Sequence, residues 1–189
     1  MYNRVLSISI LGVFLFVADK GIAAEKRHAE SHAHGVAEIN IVVEGKKVVV
    51  EFRSPTEGLM GFEHEANTDA DKKKRDAALK IIKERFGEFV NFDKSLGCKF
   101  QPGEVTIVQS DPGDGKDQKH GTSDHKKSGE HREVRATHNF ACEKGPAGSR
   151  VQFGVTKLFP NIQELKIQVL SDAKQSGATI KKDKGDVRL

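Results

Sequence analysis

Two runs of alternating apolar residues, separated by a short polar turn, constrain the fold of this chain more than any other feature. The apolar positions of the two runs are Ala37, Ile39, Ile41, Val43, Val48, Val50 and Phe52. Side chains two residues apart project from the same face of a β-strand, so each run predicts a strand with one buried face. Glu44 and Gly45 predict the tight turn between them, and together these elements predict a β-hairpin.

The turn also predicts how the two strands of the hairpin align. A two-residue loop at Glu44-Gly45 would pair Val43 with Lys46 and would place Glu38 directly opposite Glu51 on the solvent face. Like charges directly opposite each other are unfavourable. A bound cation would relieve their repulsion, whereas two well-hydrated carboxylates would not require one, and the residues leave both interpretations open.

An H-x-H pair, His32 and His34, lies at the start of the first run. If the strand begins by His32, both imidazoles project from one face, and two neutral imidazoles so placed form half of a typical zinc or copper site. His64 follows the hairpin and is the expected third ligand, with Glu38 and Glu63 as candidate additional ligands. The alternative is that the H-x-H pair is solvated polar sequence that binds nothing.

The first 24 residues have the pattern of a secretory signal. Arg4 precedes an apolar run over residues 5–18, and the small residues Ala23 and Ala24 end the segment. We expect cleavage there, which would leave residues 25–189 as one exported domain without a membrane anchor. A retained N-terminal anchor is the alternative.

The charge pattern argues against a nucleic-acid surface. The formal net charge is +4, basic and acidic residues are interleaved, and the chain has one Tyr and no Trp. A surface that follows phosphates with stacking aromatic residues needs clustered cations and several aromatic rings. We therefore expect no nucleic-acid partner.

The two cysteines, Cys98 and Cys142, are expected to form a disulfide because an even cysteine count in an exported protein favours one. The bond would close a loop of about 45 residues, for which the chain-entropy relation gives roughly 4 kcal/mol. Two thiolate metal ligands are the competing interpretation.

A helix and further strands complete the expected fold. Thr68 is a good N-cap, and helical spacing of apolar residues predicts a helix from there to about Phe86. Shorter alternating runs predict strands at 98–100, 105–108, 133–142, 151–155, 165–169, 178–181 and 186–189. The predicted class is α+β, with a mainly antiparallel sheet packed against one long helix that covers the apolar face of the hairpin.

Residues 110–132 are expected to form a disordered loop, because they contain no aliphatic or aromatic residue that could offset the entropy of ordering. The loop holds His120, His125 and His131. Histidine-bearing tracts of this kind can bind metal, although a simple linker is an equally good interpretation of the residues.

The order of several motifs resembles the ZrgA-type zinc uptake proteins of Gram-negative bacteria. The matching motifs are H-x-H-G-V-A-E at 32–38, S-P at 54–55, G-F-E-H at 61–64, a Cys at 98, a low-complexity His/Asp segment, E-x-x-A-x-x-x-F-x-C at 133–142 and F-P at 159–160. The resemblance implies a periplasmic, zinc-binding protein that assists zinc acquisition, with a zinc uptake transporter or its binding protein as a partner. It matches His32, His34 and His64 to the family's motif histidines and places His120, His125 and His131 in its variable loop.

Three functions follow from these observations. The first is a non-catalytic zinc-binding protein, and the alternative is an envelope structural or partner-binding domain whose histidines are incidental. A metallohydrolase is the least favoured, because the chain contains neither H-E-x-x-H nor G-x-S-x-G.

Overall fold

A computed structural model describes residues 34–109, 131–172, 174–182 and 185–189 of the 189-residue chain. In chain order its elements are β1 (Val36–Glu44), β2 (Lys47–Pro55), α1 (Thr56–Met60), α2 (Asp69–Arg85), β3 (Val90–Phe92), β4 (Lys99–Gln109), β5 (Arg132–Ala141), β6 (Arg150–Phe153), β7 (Glu164–Ser171), β8 (Lys174–Lys181) and β9 (Asp186–Arg188), with short 3-10 turns at Phe86–Glu88, Lys94–Leu96 and Val155–Lys157. The expected signal, residues 1–24, and residues 110–130 of the expected loop lie outside this described part.

The strands form two sheets. The larger has the order β4-β5-β2-β1-β7-β8, and the smaller has the order β3-β6-β9. All neighbouring pairs among the described strands are antiparallel except β1 and β7, which run parallel. The predicted antiparallel-dominated sheet with one long helix is therefore confirmed, whereas the parallel pair and the second sheet were not predicted.

The hairpin of β1 and β2 forms as expected, but its predicted register is wrong. The structure pairs Glu44 with Lys47, so the two loop residues are Gly45 and Lys46. Gly45 has φ +58 and is the first loop residue, where a type II′ turn needs a positive φ that glycine adopts without strain. The shift keeps the same residues on the buried face because it moves each pairing by an even number of residues.

The corrected register removes the predicted repulsion between Glu38 and Glu51. Glu38 lies opposite Arg53, with 3.6 Å between its Oε2 and the guanidinium Nη1, and Glu51 lies opposite Asn40. Opposite charges across a strand pair are favourable. A bound cation is therefore not needed to offset charge repulsion on this face of the sheet.

The first strand begins later than the H-x-H interpretation required. β1 starts at Val36, and Gly35 before it has φ +76. The Gly35 carbonyl accepts hydrogen bonds from the backbone N–H groups of Gln163 and Glu164, which ties this turn to the start of β7. His34 therefore projects from a turn rather than from a strand face.

The long helix begins as the sequence predicts but does not cover the hairpin in the way expected. Thr68 caps it by accepting a 3.1 Å hydrogen bond from Asp71 N–H. The helix packs mainly on β4, and buries only Ala78 and Ile82 fully. The apolar face of the hairpin instead contacts the 3-10 turn after the helix, where the ring centroids of Phe86 and Phe52 lie 5.8 Å apart.

The strands β4 and β5 form a second hairpin whose open end is closed by the Cys98–Cys142 disulfide, which confirms that prediction. The predicted strands at 98–100 and 105–108 are one strand, β4, with an irregularity between Gln101 and Glu104. Residues 110–130 connect β4 to β5 at the other end of this hairpin. The disulfide thus fixes the pair of strands that carries the long histidine-bearing connection, and it offsets part of the cost of closing that connection.

Candidate metal centre

Two carboxylate side chains and one imidazole side chain converge at the start of β1. The donor atoms of His34, Glu57 and Glu63 all lie within 4.8 Å of one another. It is the one group of this kind found within the described ranges of the chain. The three residues come from the turn before β1, from α1 and from the segment that follows α1.

Backbone geometry at α1 brings the two carboxylates together. Gly61 ends the helix in the left-handed conformation, with φ +83, and its N–H donates to the Glu57 carbonyl at 2.8 Å. Helices commonly end in this way at glycine, because a side chain would be strained there. The resulting turn leads the chain back toward Glu57 and places Glu63 beside it.

His34 and Glu57 hold each other through a hydrogen bond between the imidazole Nδ1 and the carboxylate Oε2. This hydrogen bond and the nearby negative charges of Glu57 and Glu63 raise the pKa of His34 above its ordinary value. The side chain of His34 is 68% exposed and that of Glu57 is 40% exposed. A metal ion entering the site would therefore displace a proton, and it would reach the ligands from open solvent.

The donor set fits zinc. Zinc binds imidazole nitrogen and carboxylate oxygen at about 2.0–2.2 Å, so two donors on one tetrahedral ion lie roughly 3.4 Å apart. Donor atoms already within 4.8 Å of one another reach that spacing by small side-chain rotations. One imidazole and two carboxylates would leave a fourth position open to water or to another ligand.

A second histidine contacts the group from the outside. His131 Nδ1 lies 2.8 Å from Glu63 Oε2, and the Glu63 side chain is only 20% exposed. His131 immediately precedes β5, at the end of the histidine-bearing connection. Glu63 is therefore held between the group at β1 and the first described residue after that connection.

The other predicted ligands lie elsewhere or outside the described residues. His64 is not part of the group: its ring stacks on Phe62 at 4.7 Å, and its Nδ1 contacts the Glu65 carbonyl at 2.8 Å. Glu38 contacts Arg53, as described above. His32, His120 and His125 lie outside the described residues.

Glu57 is the member of the group that sequence reasoning missed. The observed pairing of the hairpin ends at Glu38 and Arg53, so the register gives no signal for a contact between His34 and Glu57. Glu57 lies in α1, a short helix that the sequence analysis did not predict, so it was not considered.

No helix within the described part of the chain is both long and apolar enough to span a membrane.

Comparisons with known proteins identify the family. Comparison with curated proteins gives no match. Residues 31–189, which include the whole candidate metal centre and both cysteines, match the profile described as ZrgA family zinc uptake protein. The chain therefore belongs to the ZrgA family of zinc uptake proteins.

Proposed function

We propose that this protein is a non-catalytic zinc-binding protein of the periplasm that assists zinc acquisition. The single observation that supports it most is the convergence of His34, Glu57 and Glu63 in a chain of a zinc uptake family. The secretory pattern of residues 1–24 and the disulfide support an oxidising, exported location.

The exposure of the donors favours carriage of zinc rather than a structural role for it. Structural zinc sites are closed, with four protein ligands. Here His34 and Glu57 are exposed to solvent, and only Glu63 is largely shielded. An open fourth position lets a donor from another protein enter before zinc leaves, as transfer to an uptake transporter or its binding protein requires.

His131 is proposed to position Glu63 and to connect the centre with the loop. Carboxylate ligands are commonly oriented by a further hydrogen-bonding group, and loss of such a group typically costs about 10–100-fold in metal affinity. The loop histidines His120 and His125, together with His32 and His64, are proposed as additional weaker donors that deliver zinc to the centre.

The direct test is a zinc titration against a competing chelator at neutral pH. We expect stoichiometric binding by the wild-type protein, and affinity losses greater than about 100-fold for His34→Ala, Glu57→Gln and Glu63→Gln, because each removes a ligand. Glu51→Gln is the matched control, since Glu51 lies exposed on the outer face of β2. Equal affinity in all four variants would show that zinc binds elsewhere.

Equilibrium dialysis distinguishes this proposal from the alternative, an envelope domain without physiological metal binding. Zinc retained at pH 7 and released near pH 5 supports the proposal, because imidazole ligands must be neutral to bind. Failure to retain zinc at pH 7 would favour the alternative.

A further inference from the structure

Two of the donors of the metal centre are carried by short pieces of backbone. His34 projects from the turn before β1, and Glu57 lies in α1, a helix of 5 residues. Their side chains are 68% and 40% exposed, so packing around the side chains holds them only in part. A helix this short is not stable by itself. Contacts from elsewhere in the chain must therefore fix the position of one donor relative to the other.

One segment, residues 161–163, contacts both of these pieces of backbone. The Gly35 carbonyl, in the turn before β1, accepts a 2.8 Å hydrogen bond from the Gln163 N–H. The Glu57 carbonyl accepts a hydrogen bond from the side-chain amide of Asn161, with 3.4 Å between Nδ2 and the carbonyl oxygen. The segment therefore links the turn that carries the imidazole to the residue that carries one of the carboxylates.

The same segment packs closely against both elements. Its central residue, Ile162, is 0% exposed. A Cβ at Gly35 would lie 3.1 Å from the Asn161 carbonyl oxygen, and a Cβ at Gly58 of α1 would lie 3.2 Å from the Ile162 Cγ1. Both distances are shorter than ordinary van der Waals contact. Glycine at these two positions therefore allows the segment to approach the turn and α1 at the same time.

The F-P motif at 159–160 anchors this segment in the core. Phe159 is 3% exposed, and the centroid of its ring lies 6.4 Å from that of Phe89 in an edge-to-face arrangement. The Phe159 carbonyl accepts a 3.0 Å hydrogen bond from the Ile162 N–H, which closes the turn that leads into the segment. The exposed Asn161 is thus held by buried neighbours on either side.

We propose that Asn161 is a positioning residue of the metal centre. It holds the backbone of Glu57 to the segment that also binds the turn carrying His34, and so it sets how these two donors approach each other. Groups that orient metal ligands typically contribute about 10–100-fold to metal affinity. The effect on zinc affinity rests on the proposed function, whereas the approach of the two side chains is also a property of the metal-free protein.

Asn91 provides a matched control. Its side-chain amide donates to the Glu88 carbonyl at 3.3 Å, and both asparagines are exposed. Asn91 lies in β3 of the smaller sheet, and none of the three donors of the metal centre belongs to that sheet. Asn161→Ala and Asn91→Ala each remove one exposed bond from an amide to a carbonyl, so we expect similar midpoints of urea unfolding.

The first measurement uses metal-free protein at neutral pH. The nuclear Overhauser effect between the His34 ring protons and the Glu57 γ-methylene protons reports how closely the two donors approach. We expect this effect in the wild-type protein and in Asn91→Ala, and a weaker one in Asn161→Ala. A protein that had only lost stability would keep it, because the folded molecules would be unchanged.

The second measurement is a zinc titration of the same three proteins against a competing chelator. Asn161→Ala should lose about tenfold in affinity, and Asn91→Ala should bind as the wild-type protein does. An unchanged Overhauser effect with unchanged zinc affinity in Asn161→Ala, or an equal loss in Asn91→Ala, would overturn the inference and leave the proposed function intact. Failure of the wild-type protein to bind zinc would instead overturn the proposed function, and the Overhauser effect would still decide whether Asn161 positions Glu57.

Discussion

Buried His138 predicts a specific loss of stability in mild acid. The residue is 0% exposed and lies between aromatic rings, 4.4 Å from Phe86 and 5.3 Å from Phe100 between ring centroids. Its Nδ1 accepts a 3.0 Å hydrogen bond from the Gly103 N–H. Protonation of Nδ1 would replace this acceptor with a second donor and would bury a charge.

The pKa of His138 is lowered from 6.5 to about 4, chiefly because burial disfavours the charged ring, while the Ile82 carbonyl partly opposes the shift. The unfolded chain therefore binds the proton more readily than the folded protein. The contribution of His138 to stability is fully present above about pH 6.5 and declines as the pH falls toward 4. The linkage relation gives a loss of about 2 kcal/mol between pH 7 and pH 5, and about 3 kcal/mol by pH 4.

Urea unfolding of metal-free protein at pH 7 and pH 5 measures this loss. His138→Phe and His138→Gln should each reduce the difference between the two pH values by about 2 kcal/mol relative to wild type. Each variant is compared with itself at two pH values, so a lower overall stability does not affect the result. The raised pKa of His34 changes the stability with pH in the opposite direction. This contribution cancels in the comparison because His34 is present in all three proteins. An unchanged difference in both variants would refute the reasoning.

Three further predictions concern stability at pH 7, each measured by urea unfolding. Replacing both Cys98 and Cys142 with Ser should lower the free energy of unfolding by about 4 kcal/mol, because the disulfide spans a sequence separation of 44 residues. A reducing agent should lower the stability of the wild-type protein by the same amount and leave that of the variant unchanged. Phe86→Ala should cost about 4 kcal/mol, since Phe86 is fully buried, and a cost below 1 kcal/mol would contradict that role. Glu133→Gln should cost about 2 kcal/mol, because the buried Glu133 carboxylate binds both Arg53, at 3.2 Å, and Arg135; no loss would show that these ion pairs contribute nothing net.

The residue pattern alone predicts much of the fold, because burial follows local periodicity. Alternation identified the buried face of the first hairpin, including Ala37 and Phe52, and of the strand ending at Ala141. Helical spacing with Thr68 as cap placed the helix within a residue of its observed ends. These features depend on side-chain direction, which the backbone repeats every two residues in a strand and every 3.6 in a helix.

The composition of the metal centre depends on contacts that this periodicity does not specify. A two-residue shift of the hairpin keeps every apolar side chain on the same face, so alternation cannot choose between the two registers. The choice rests on Gly45 taking the first loop position, and it places Glu38 opposite Arg53 rather than opposite Glu51. His64, close in sequence to Glu63, turns instead to stack on Phe62.

The sequence by itself therefore predicted the buried faces of the first hairpin and of β5, the position of the long helix, and a disulfide as the favoured pairing of the two cysteines. Only the tertiary structure decided that His34 meets Glu57 and Glu63, that His131 contacts Glu63, and that β1 runs parallel to β7. The physical reason is that burial is set by local alternation, whereas these contacts join segments far apart in the chain, and the loops and packing of the whole domain determine where those segments meet.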